Sequence, residues 1–132
     1  MLRGNKMRTR QSLMDEIAAA FQFFDGFGEN WHALRECLSY LDQWLPAESY
    51  VVVVERAEEV LAEAPEELWA FFKSVAEAGE HWSEPIADGD RFDRPAKPFH
   101  VLMNVSNASA YTQASDAFLD AAQHAEVKVR LI

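Results

Sequence analysis

One cysteine, Cys37, is all the chain holds, so no internal disulfide can form and any fold must be held by its core. On a predicted helix among apolar neighbours, Cys37 reads as a core residue. No apolar run approaches the roughly 20 residues that a membrane-spanning helix needs. The basic residues near the N-terminus are not followed by the hydrophobic stretch of a signal peptide. These absences predict a cytoplasmic protein with no membrane contact. The four histidines, at positions 32, 81, 100 and 124, show no metal-ligand spacing with one another or with Cys37. Gly26 and Gly28 are followed by Glu29 and lack a dinucleotide fingerprint. No cofactor is expected.

Positive charge is scarce too. Twelve Lys and Arg stand against 22 Asp and Glu, a formal net charge of -10. Four of the twelve, Arg3, Lys6, Arg8 and Arg10, lie in the first ten residues, which contain no acid; the other eight against 22 acids leave -14 on residues 11–132. Such a surface repels phosphate backbones, which argues against nucleic acid as a ligand, and it steers basic proteins inward.

What the chain does have is apolar content, 49% of 132 residues, enough for one domain with a core. Residues 1–11 read as a basic N-terminal tail. Leu13, Ile17, Ala20, Phe21 and Phe24 recur at helical intervals after Ser12, and Asp25-Gly26 stops that helix. A second helix is predicted from Asn30 to about Trp44, ended by Leu45-Pro46. Four consecutive valines within Tyr50 to Glu55 predict a strand buried on both faces. A short acidic helical stretch, 56–64, precedes a helix from Pro65 to Gly79. Residues 84–98, with three prolines and three aspartates, read as a solvated loop. Phe99 to Val105 is a second strand and Ser109 to Gln123 a further helix. The alternation of Val127, Val129 and Leu131 with Lys128 and Arg130 predicts an edge strand. Strands separated by helices imply parallel pairing, hence a small α/β fold.

Catalytic chemistry is hard to assemble from these residues. His32 and Cys37, five apart on one helix, lie about 140° around its axis and cannot touch. Glu58, Glu59, Glu63, Glu66 and Glu67 read as a solvated face. The expectation is a protein that is not an enzyme.

The informative stretch is 24–38, FDGFGENWHALRECL. Trp31, Leu34, Leu38 and Leu41 mark the buried side of its helix, and His32, Arg35, Glu36 and Ser39 form the opposite stripe at i, i+3, i+4 and i+7. Phe27-Gly28-Glu29-Asn30-Trp31, then Ala33-Leu34 and Cys37-Leu38, together with the order of elements over roughly residues 13–106, resemble the barstar family of barnase-type ribonuclease inhibitors. The resemblance implies a three-stranded parallel sheet packed by helices, in two layers or three. It also implies an inhibitor or immunity-type protein that plugs a basic ribonuclease active site with the loop and second helix.

On that basis the partner-binding residues are Phe27, Gly28, Glu29, Asn30, His32, Arg35, Glu36 and Ser39. Glu36 stands at the principal acidic anchor, His32 where the family has an aspartate, Arg35 where it presents an aromatic residue, and Gly26 in place of another aromatic contact. Phe27 is then the expected apolar plug, and Ser74 falls near a rim glutamate of the family. The alternative is the same scaffold with a protein partner that is not a ribonuclease. The family's first strand looks missing or vestigial here. The barstar-like domain would span 12–106, with 107–132 a helix-strand extension packed on it whose Val127 to Ile132 replaces the missing strand.

Overall fold

In the computed structural model, which describes residues 1–125, three parallel strands lie in chain order, each end-to-end link occupied by helices. The elements are β1 (Leu2–Arg3), α1 (Arg10–Phe21), α2 (Trp31–Ser39), β2 (Tyr50–Glu55), α3 (Leu68–Ser83), β3 (Phe99–Met103) and α4 (Ala108–His124). The middle strand β2 pairs Leu2 with Val54 on one side and Tyr50 with Phe99, Val52 with Val101 and Val54 with Met103 on the other. The architecture is the small helix-packed parallel sheet that the sequence predicts.

The valine strand is not buried on both faces. Tyr50, Val52 and Val54 point into the core with Leu34, Leu38, Phe71 and Trp82, whereas Val51 is 55% exposed and Leu102 on the neighbouring strand 45%. Among the described residues the sheet has one covered face, so of the two expected layerings the two-layer form is found. Four β-branched residues in a row satisfy a strand with either one or two covered faces, because the backbone preference is the same in both.

The N-terminal segment is a correction to the expected basic tail and missing strand. Leu2 is 2% exposed and Met7 fully buried. Arg3 closes onto α1 through its backbone N–H and its guanidinium, both donating to the Glu16 carboxylate at 2.8 to 2.9 Å. Gly4 is required where β1 ends: a Cβ there would run into the carbonyl oxygen of Arg56. Thr9, not Ser12, caps α1. Thr9 Oγ1 accepts from the Ser12 N–H while Ser12 Oγ accepts from the Thr9 N–H, a reciprocal box with serine in the third position. Two residues suffice for β1 because it covers an edge and contributes one buried side chain.

Helix ends also differ from the periodic pattern. The second helix stops at Ser39 rather than near Trp44, and Leu41–Gln43 continues as a 3-10 turn. The Ser39 carbonyl accepts from Arg94 Nη2 at 2.8 Å, so a side chain 55 residues further on occupies it. The stretch 56–64 holds only the 3-10 turn Ala57–Glu59. Pro65–Glu67 is also 3-10, and α3 runs past Gly79 to Ser83. Its last turn is anchored by Trp82, fully buried, whose indole donates to the Leu38 carbonyl at 2.8 Å. Beyond β3, α4 packs its Phe118 edge-on against Phe72 of α3, with ring centres 5.6 Å apart. The predicted strand Val127 to Ile132 lies outside the described residues.

Candidate functional site

The loop before α2 is held from below by aromatic rings. Phe23 packs edge-on against Phe27 at 4.9 Å and against Trp44 at 6.1 Å, and the Trp44 indole donates to the Phe21 carbonyl at 2.9 Å. Phe27 is therefore half-buried, packed on the aromatic base of the loop. The more exposed ring is Phe24, at 59%. A Cβ at Gly26 would lie 3.2 Å from the Phe24 ring. The difference follows from helix geometry: α1 ends at Phe21, and Gln22 takes the left-handed conformation, φ 56°, which reverses the face that follows.

Asn30 starts α2 by accepting the Ala33 N–H at 2.8 Å, while its Nδ2 donates to the Gly28 carbonyl at 3.2 Å. A Cβ at Gly28 would sit 3.2 Å from that Nδ2, so the glycine leaves room for the cap. Glu29, between them, holds a left-handed φ of 52°. A non-glycine residue in that region carries about 1 kcal/mol of strain, and here it turns an exposed carboxylate outward at the helix entrance. Gly28, Glu29 and Asn30 are all exposed, as expected.

Along α2, the structure brings together three of the four stripe residues. Arg35 Nη2 donates to Glu36 Oε1 at 3.0 Å and lies 2.9 Å from His32 Nδ1. A guanidinium has no lone pair to offer, so Nδ1 accepts and the proton of the neutral ring sits on Nε2. Arg35 Nη1 reaches across to Glu77 Oε2 of α3 at 3.0 Å. The hydrogen bond that Arg35 donates to Glu77, then the one it donates to Glu36, raises the Arg35 pKa and holds its charge permanently. Ser39 does not belong to the presented stripe. It is 5% exposed, its hydroxyl donating to the Arg35 carbonyl at 2.7 Å, because α3 and the 84–98 loop close over the last turn of α2. Ser74 is likewise inside the helix packing, 5% exposed and bonded to the Ala70 carbonyl, rather than at a rim.

Sequence reasoning missed the α3 contribution. Glu36 from α2 and Glu77 and Glu80 from α3 line one shallow depression of about 350 Å³ together with Tyr40 and His81. The three acids against Arg35 leave it negative. Desolvation, aided by the charge of Arg94, lowers the His81 pKa, so the ring stays neutral there. A signal was available, since Lys73, Glu77 and Glu80 follow one another at four and three residues on α3, the spacing of one helical face. Their meeting with α2 depends on tertiary packing alone.

Among the described residues no group of three or more His, Cys, Asp or Glu is placed to hold a metal, and no helix is long and apolar enough to cross a membrane. No curated protein and no solved structure matches the chain. The model of the family described as Barstar (barnase inhibitor) matches residues 1–104, taking in all three strands, β1 included. The chain belongs to the barstar family.

Proposed function

We propose that the protein inhibits a basic ribonuclease by covering its active site with the 27–30 loop, the exposed side of α2 and the facing edge of α3. The observation that carries this reading, beside family membership, is the gathering of Glu36, Glu77 and Glu80 around one depression, with the exposed Glu29 at the N-terminal entrance of the same helix α2. A site built for RNA phosphate preorganises guanidinium, ammonium and imidazolium donors. Carboxylates placed on them reproduce charge and hydrogen bonding while the inhibitor's bulk excludes substrate. The net charge of -10 steers the encounter.

The test is inhibition of a barnase-type ribonuclease and of the basic ribonucleases found in the same cells, measured for wild type and Glu36→Ala. The complex is expected to associate more slowly as salt rises. Removing the Glu36 carboxylate should weaken it at least about tenfold, roughly 1.4 kcal/mol. Unchanged affinity in the variant would remove Glu36 from the anchor role, and a partner without ribonuclease activity would replace this reading by the same scaffold serving another protein.

A further inference from the structure

Next to the acid-rich depression lies a groove of opposite character. It occupies about 470 Å³ between the first turn of α1, α2 and α3, and its cationic and ionisable lining is Arg10, His32, Arg35 and Lys73. Glu67 and Glu77 also line it, so three fixed positive charges meet two negative ones and the groove is positive by one charge with His32 neutral. On a chain of net charge -10 that local sign is an exception. Arg10 is held by Glu67 at 3.3 Å and Arg35 by Glu77 at 3.0 Å. Lys73 is the loosely held cation, 3.9 Å from Glu77 with a side chain 54% exposed. Two indoles, Trp31 and Trp69, also line it, with Ala70 and Ser74. Whereas Trp44 and Trp82 donate to backbone carbonyls, Trp31 and Trp69 make no such bond among the described residues.

We infer that this groove seats an acidic side chain of the partner protein, with Lys73 and Arg35 meeting its carboxylate. The inference deepens the reading of α2 as the partner-facing helix and rests on it. Arg35 and Glu77 line both depressions, so their ion pair is the boundary between an acidic and a basic half of one surface. A uniformly basic partner would set its cations against Arg35 and Lys73 and would compete with Arg35 for Glu36. Like charges so placed are unfavourable. A partner that carries a carboxylate beside its cations matches both halves and leaves the Arg35–Glu77 pair intact. Arg35 thus selects for a mixed-charge enzyme surface.

The test needs no ribonuclease. The full chain, labelled with ¹⁵N, is titrated at low salt with a short glutamate-glycine-glutamate peptide and, separately, with its arginine counterpart, both blocked at their ends. The acidic peptide is expected to shift the indole N–H signals of Trp31 and Trp69 and the backbone signals of Arg35 and Lys73. Lys73→Glu should weaken that binding at least about threefold while the remaining spectrum keeps its dispersion. The arginine peptide should act instead around Glu36 and Glu80. Shifts spread evenly over the surface, no shift at the groove, or binding indifferent to Lys73→Glu would each overturn the inference. Such a failure leaves ribonuclease inhibition standing, and a chain that inhibits no ribonuclease can still bind the acidic peptide.

Discussion

Cys37 neighbours Glu36 in the chain and faces the other way, 6% exposed on the core side of α2. Burial pushes its thiol pKa up, and the charge of Glu36 adds to the effect, so the group stays protonated at neutral pH. Its role is packing. In the native state it is expected to react with an aromatic disulfide reagent only through opening of the fold, with labelling that accelerates sharply in urea. Immediate stoichiometric labelling in buffer would contradict this placement. On the exposed side of the same helix, the Arg35 guanidinium joins His32, Glu36 and Glu77. The resemblance identifies both residues, but only the contact with Glu77 makes Arg35 a boundary rather than a substituted aromatic contact.

At the scale of elements, residues 84–98 show how a loop with every sign of solvation can hold a fold together. Its bridge between Ile86 and Arg94 forms a small antiparallel turn. From there the Arg94 guanidinium lies 3.5 Å from the centre of the Trp82 ring and pairs with Asp42 at 2.7 Å, its side chain 4% exposed. It joins the 3-10 turn after α2 to the last turn of α3, which is the frame on which the acid-rich depression is built. Removing one partner of a buried pair strands the other. Asp42→Ala is expected to lower unfolding stability by about 3 kcal/mol, read as the urea midpoint at unchanged slope. A loss below about 0.5 kcal/mol, the range of exposed pairs, would show that Arg94 does not pin this loop. Nothing in the composition of 84–98 announces the pin, because an arginine among aspartates and prolines reads as surface until its tryptophan is known.

For the whole molecule, the concentration of bases at the N-terminus becomes a seam. Arg3 pairs with Glu16, Arg8 with Glu59 and Glu63, and Arg10 with Glu67, which draws the first ten residues across an acidic body. The Glu16 carboxylate is the most enclosed of these acids, and the hydrogen bond from Arg3 lowers its pKa against the opposing effect of burial. A carboxylate whose pKa is depressed on folding contributes stability that is complete above the ordinary carboxylate range and is lost as pH falls through the depressed value. Glu16→Gln should therefore be less stable than wild type at neutral pH, with the difference shrinking as both are acidified below about pH 4. Urea midpoints of the two proteins across that range measure it. A difference that does not change with pH would assign the loss to packing instead of charge.

The sequence by itself determined the order of helices and strands, the parallel sheet and the family, because period and propensity are local and the stretch from Phe27 to Leu38 carries its own cap, buried stripe and turn. It also marked the exposed character of Gly28, Glu29, Asn30 and Glu36. Only the tertiary structure decided that Phe24 is the more exposed ring and Phe27 half-buried, that Ser39 is inside, that the first residues form a strand, and that α3 supplies half of the charged surface. Each of those outcomes turns on which distant group meets a side chain: Trp44 beneath Phe23, Arg94 on the Ser39 carbonyl, Val54 beside Leu2, Glu77 against Arg35. Such meetings follow from the packing of the chain on itself, and no local spacing encodes them.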